Sequence, residues 1–100
     1  MYGLKTHPLV EEDLKAFDHF VIILILKKLA QLQYSPLQGQ PLGNKNHLDL
    51  TGYYKTYVAK KQIRIVYKII ENELVVYIVT VGKREEMEVY KEALKRLKND

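Results

Sequence analysis

Residues 62–82 read Gln62-Ile63-Arg64-Ile65-Val66-Tyr67-Lys68-Ile69-Ile70-Glu71-Asn72-Glu73-Leu74-Val75-Val76-Tyr77-Ile78-Val79-Thr80-Val81-Gly82. Two runs rich in β-branched and aromatic residues flank the polar triplet Glu71-Asn72-Glu73. That is the pattern of two strands, 62–71 and 74–82, joined by a turn. Upstream, 48–59 has the same two-residue period, so a third strand is expected. Its turn, Lys60-Lys61, is poor hairpin chemistry, because tight hairpins favour Asn and Gly. A hairpin centred between the two lysines sets Tyr57 opposite Arg64 and Lys55 opposite Val66. Lys55, Tyr57, Arg64 and Lys68 then share one face. Tyr54, Val58, Ile63, Ile65, Tyr67 and Ile69 share the other, which has to meet helices.

Outward from this sheet, the period changes. Glu86 to Lys98 is helical, with Met87, Tyr90, Leu94 and Leu97 as its apolar stripe. Residues 35–46 hold Pro36, Gly39, Pro41, Gly43 and Asn44 and read as a loop. Before them a helix capped by Asp18 runs to about Gln33, with Ile22, Ile25, Leu29 and Leu32 facing the core. Thr6-His7-Pro8 opens an earlier helix, with Glu11, Glu12 and Asp13 in its first turns and Val10, Leu14 and Phe17 on one face. Met1 to Thr6 alternates weakly, as a short strand. The predicted order is β-α-α-β-β-β-α. This is an α+β domain spanning 1–100: an antiparallel sheet of about four strands, an N-terminal αα-hairpin and a C-terminal helix, all helices on one face. Phe20 to Leu26 is apolar all round, so Val21, Ile23 and Leu24 either pack under the first helix or are covered by a second chain.

The formal charge is +4, and it is unevenly spread. Residues 1–44 balance. Residues 45–68 carry Lys45, Lys55, Lys60, Lys61, Arg64 and Lys68 against Asp49 alone. Cations beside an aromatic ring on one sheet face suit a nucleic-acid strand, because cations meet phosphates and a ring stacks on a base. The plainer reading is a solvated lysine-rich face, with Arg64 paired to Glu71 or Glu73.

Other chemistries are absent from the sequence. No cysteine is present, which excludes disulfides and thiolate catalysis and fits a reducing cytoplasm. No leader peptide or membrane-length apolar run is expected. No His, Asp and Glu spacing resembles a metal site, and no phosphate-binding glycine loop occurs, so no cofactor is expected. The single serine, Ser35, precedes Pro36 in the loop, a poor place for a nucleophile. His7 and His19 stand at helix starts, where capping or surface roles are expected.

Three stretches carry a family resemblance: Ile63-Arg64-Ile65-Val66-Tyr67, then Val79-Thr80-Val81-Gly82-Lys83-Arg84, then Glu88-Val89-Tyr90-Lys91-Glu92-Ala93. With them, segment 48–97 resembles the RelE family of bacterial toxin endoribonucleases, in the RelE/ParE superfamily. The N-terminal half resembles it in pattern only. The resemblance implies a RelE-like microbial RNase fold in the toxin of a type II toxin–antitoxin system. It implies cleavage of mRNA on the ribosome and neutralisation by a RelB-like antitoxin, with a dimer or a toxin–antitoxin heterotetramer as the assembly.

By position, the resemblance carries catalytic roles to Lys55, Arg64, Arg84 and Tyr90. Tyr57 stands where such enzymes have a second lysine. Tyr57, Lys60, Lys61, Lys68 and Lys83 are the expected RNA-binding residues. The implied reaction is attack of a ribose 2′-OH on the adjacent phosphorus. Arg64 and Arg84 would stabilise the developing charge, and Lys55, its pKa lowered by like charge, would accept a proton. Two alternatives stand beside this: a non-catalytic ParE-like toxin binding DNA gyrase, and a basic RNA-binding module without turnover.

Overall fold

The computed structural model describes residues 1–45, 48–83 and 88–98. In chain order the elements are β1 (Gly3–Thr6), α1 (Val10–Leu14), α2 (His19–Tyr34), β2 (Gln40–Lys45), β3 (Leu48–Val58), β4 (Ile63–Ile70), β5 (Val75–Lys83) and α3 (Glu88–Lys98). The strands form one sheet in the order β1-β5-β4-β3-β2.

The α+β class and the β3-β4-β5 meander follow from the alternation. Tyr57 pairs with Arg64 and Lys55 with Val66, the expected register. Two features differ from the expected sheet. Gln40–Lys45, read as loop for its prolines and glycines, is a fifth strand at the edge, broken by a register shift between Pro41 and Gly43. An edge strand tolerates proline because one side of its backbone needs no partner. The short N-terminal strand is parallel to β5, which makes the sheet mixed.

The helices lie on both faces, not one. Against α1 and α2 sits a core of Val10, Ile25, Leu29 and Leu32 with Val58, Ile63, Ile65, Tyr67, Val76, Ile78 and Val81. Against α3 sits a second core of Tyr90 and Ala93 with Leu42, Leu50, Val66 and Val79. The reason lies in the face that looked cationic. Val66 shares a side of β4 with Arg64 and Lys68, and it belongs with Val79 to one buried cluster. The middle of that face is therefore apolar and needs a cover. Five consecutive residues at the start of β4, Ile63 to Tyr67, are buried in consequence.

Helix α2 begins where expected, with the Asp18 side chain accepting from Val21 N–H at 2.9 Å. Ile25, Leu29 and Leu32 are buried, and Val21 packs against the same core. Phe20, Ile23 and Leu26 remain exposed. Buried His7 steadies the turn ahead of α1: its Nδ1 accepts from Leu9 N–H at 3.1 Å.

Strand β1 pairs with β5 only as far as Ile78, which leaves the rest of that edge to side chains. Arg96 Nη1 donates to Val79 C=O at 2.8 Å, and Val81 N–H donates to Asp13 Oδ2 at 3.0 Å. The two side chains also grip each other in a fork, Nη1 to Oδ2 at 2.8 Å and Nη2 to Oδ1 at 2.7 Å. One ion pair thus takes the place of the missing strand and ties α1 to α3 around the sheet edge. Burial lowers the proton affinity of Arg96. Its hydrogen bonds to Asp13 and Glu92 outweigh that, and its pKa is raised.

Candidate active site

Alternation on β3 and β4 brings Lys55, Tyr57 and Arg64 together. Tyr57 stands directly across from Arg64, and Lys55 is two residues away on the same face. The Lys55 Nζ lies 5.5 Å from the centroid of the Tyr57 ring, and the Arg64 Cζ lies 5.7 Å from it. From the other side α3 lowers Tyr90 onto the guanidinium, with Cζ 4.4 Å from the ring centroid. Arg64 thus contacts two tyrosine rings and is only 8% exposed. It is not a surface ion pair with Glu71 or Glu73, whose recorded contacts are with Tyr2 and Lys5.

Arg64 carries donors to spare. Its Nε and Nη1 are buried and, among the described residues, have no hydrogen-bond acceptor; the Tyr90 hydroxyl is likewise buried and unpartnered. A buried donor left unsatisfied costs about 1–3 kcal/mol, and more when charged. Stacking on two rings offsets part of this, at up to about 2 kcal/mol for a desolvated contact. The remaining donors suit an oxyanion, which a guanidinium binds in a fork.

Tyr57 has an altered acidity. Burial pushes its phenol up, but hydrogen bonds from Lys55 and Arg64, with their positive charge, more than offset this and bring it down to about 8. Lys55 and Tyr57 also line an open cleft of about 250 Å³, together with Gln38, Gly39, Gln40, Thr56 and Lys61. The Gln38–Gln40 wall went unseen in the sequence because β2 was read as loop. Tyr67 holds that wall in place, its hydroxyl donating to Pro36 C=O at 2.7 Å and accepting from Gly39 N–H at 3.1 Å. A Cβ at Gly39 would run into the Tyr67 hydroxyl and stand 2.6 Å from the Lys55 carbonyl oxygen, so the close approach requires glycine. Burial is the main reason the Tyr67 phenol rises to about 12, which keeps it a donor.

The remaining expected residues are dispersed. Lys61 reaches the cleft from the β3–β4 turn, and Lys60 is exposed beside it. Lys83 is exposed at the end of β5, one step beyond Gly82, the partner of Arg64. Lys68 is apart from the cluster. Four residues along β4, ~13 Å from Arg64, it lies over the rings of Tyr53 and Tyr77 at 5.9 and 5.4 Å. Arg84 lies outside the described residues, as does Met87. No group of three His, Cys, Asp or Glu among the described residues could hold a metal ion. No helix among them is long and apolar enough to cross a membrane.

Residues 4–88 match the family model of the ParE toxin of type II toxin–antitoxin systems. The chain belongs to this family, within the RelE/ParE superfamily. It is 39% identical over 77 residues to the mRNA interferase toxin RelE of Escherichia coli K12, covering 71% of this chain and 70% of that protein. Its fold superposes on a free-state variant of E. coli RelE with a TM-score of 0.77 at 28% identity, over 96% of this chain and 97% of the other. A variant of that toxin in complex with an antitoxin RelB peptide gives a TM-score of 0.69 at 28% identity, covering 92% and 93%.

Proposed function

We propose that this chain is a ribosome-dependent mRNA endoribonuclease that works without a metal ion, the cytoplasmic toxin of a type II toxin–antitoxin pair. One observation carries the reading: Arg64, buried against the rings of Tyr57 and Tyr90, keeps two donors without an acceptor among the described residues, and Tyr57 lines a cleft together with Lys55. A gyrase-binding surface has no need of a buried, under-satisfied guanidinium. A phosphate in flight has, because charge builds on its oxygens as the transition state forms. The likeness to a protein named mRNA interferase points the same way.

In the reaction, the ribose 2′-oxygen bonds to the adjacent phosphorus as the bond from phosphorus to the 5′-oxygen breaks. The products are a 2′,3′-cyclic phosphate and a 5′-OH. Arg64, with Arg84 as its expected second, neutralises the phosphoryl oxygens. Lys55 supplies positive charge and Tyr90 holds the guanidinium in place against its ring. The exposed Lys60, Lys61 and Lys83 guide the strand. The partner is a RelB-like antitoxin, in a heterodimer or heterotetramer.

The test is primer extension on a defined mRNA with purified protein, with and without ribosomes. Cuts are expected only with ribosomes, and none where the nucleotide 5′ of the cut carries 2′-deoxyribose. Arg64→Ala and Arg84→Ala should each abolish growth inhibition with the fold intact. The family model's ParE name favours a second reading, inhibition of DNA gyrase. Supercoiling blocked by the protein, with mRNA left uncut, would establish that reading instead.

A further inference from the structure

We infer that the Tyr57 phenolate is the general base of this chain, the group that takes the proton from the attacking 2′-OH. This deepens the nuclease reading and rests on it. Tyr57 is a neutral titratable side chain at the cleft wall, and two cations approach its ring. The Lys55 Nζ lies 5.5 Å and the Arg64 Cζ 5.7 Å from its ring centroid, and both side chains hydrogen-bond to its oxygen. Among the described residues the charged and titratable groups around the cluster are Lys55 from β3, Arg64 from β4, Lys61 from the turn between them and Tyr90 from α3, in contact with Arg64. β2 contributes only the uncharged Gln40 to the cleft. Among the described residues no carboxylate lines this cleft.

The consequence is a division of labour. A phenol that loses its proton here becomes an anion that both neighbours stabilise, which is why its acidity is brought near 8. A base is most effective when its pKa lies near the working pH. The same cations meet the phosphate, so one cluster holds the electrophile and the base side by side. Proton bookkeeping closes without another component. The phenolate accepts the 2′-OH proton, the 2′-oxygen bonds to phosphorus, and the departing 5′-oxygen takes a proton from the Lys55 ammonium. Exchange with water then returns both side chains to their starting forms.

The experiment compares wild type with Tyr57→Phe, which keeps the ring over both cations and removes only the ionisable oxygen. Single-turnover cleavage of mRNA in programmed ribosomes is followed against pH, alongside ultraviolet titration of the tyrosinate band of the free protein. The wild-type rate should climb about tenfold per pH unit and level off near 8. One tyrosine should titrate in that range and vanish in the variant. Tyr57→Phe should lose the inflection and ~10²–10⁴ in rate, with ribosome affinity within about twofold. A variant as fast as wild type, or one slowed but keeping the inflection, overturns the assignment while leaving the nuclease standing. Absence of wild-type cleavage overturns both, whatever the titration gives.

Discussion

The Arg64 guanidinium carbon lies 4.4 Å from the centroid of the Tyr90 ring, and through this contact α3 closes over the cation that the sheet presents. A charge so placed is poor for stability. Its Nε and Nη1 are buried without an acceptor among the described residues. Replacing the side chain by one of similar reach but no charge relieves that cost. Arg64→Met is therefore expected to unfold at higher urea concentration than wild type, by ~1–3 kcal/mol, while mRNA cleavage falls ~10²–10³-fold. A variant that is both inactive and clearly less stable would mean that Arg64 is held for packing rather than for phosphate.

Gly39 joins the cleft wall to the core at a point where nothing larger fits. A methyl group there meets the Tyr67 hydroxyl, held by its bond to Pro36 C=O, and the Lys55 carbonyl on the β3 backbone. Gly39→Ala should cost ~1–3 kcal/mol, as overpacking does, and should slow cleavage by displacing Lys55. Tyr67→Phe in the same background removes the hydroxyl that clashes. Urea melts of the two single variants and the double variant should show the pair less destabilised than the sum of the singles, since the sites are in contact.

The fork between Arg96 and Asp13 separates buried from exposed ion pairs within one molecule. Arg96 is 5% exposed and completes the β5 edge, whereas Lys15–Glu12 lies in solvent. Arg96→Ala leaves Asp13 and the Val79 carbonyl without their donor, and a loss of ~3–5 kcal/mol is expected. Lys15→Ala should cost under ~1 kcal/mol. Equal midpoints for the two variants would mean the edge of β5 is satisfied by other means.

What could be read from the sequence was what alternation determines locally. The two-residue period from Leu48 onward is enough to set Tyr57 against Arg64, because a one-residue slip would turn every core side chain to the wrong face. The same period does not say what covers the opposite face. Val66 and Val79 become a second apolar surface only once β4 and β5 are paired, and that decides whether Arg64 is open or lies beneath Tyr90. Strand β2 was hidden because Pro41 and Gly43 are loop residues everywhere except on an edge. Asp13 and Arg96 are far apart in sequence, and no local pattern signals a pair that forms across the end of a strand.

The turn between β3 and β4 shows a conflict between sequence and backbone that yields a separable test. Ala59, Lys60 and Lys61 have φ of 54°, 56° and 68°, the left-handed region that favours glycine. Each such residue costs roughly 1 kcal/mol relative to glycine. A turn built for stability alone would not use two lysines. Strain of this kind persists where the side chain has another task, and here Lys61 lines the cleft. Lys60→Gly and Lys61→Gly should each raise the unfolding free energy by ~1 kcal/mol. If the lysines serve RNA, both variants should bind programmed ribosomes more weakly, and the affinity of each should depend less steeply on salt, by about one phosphate contact. Glycine variants that gain stability with unchanged affinity and salt slope would show that the strain serves no contact with the substrate.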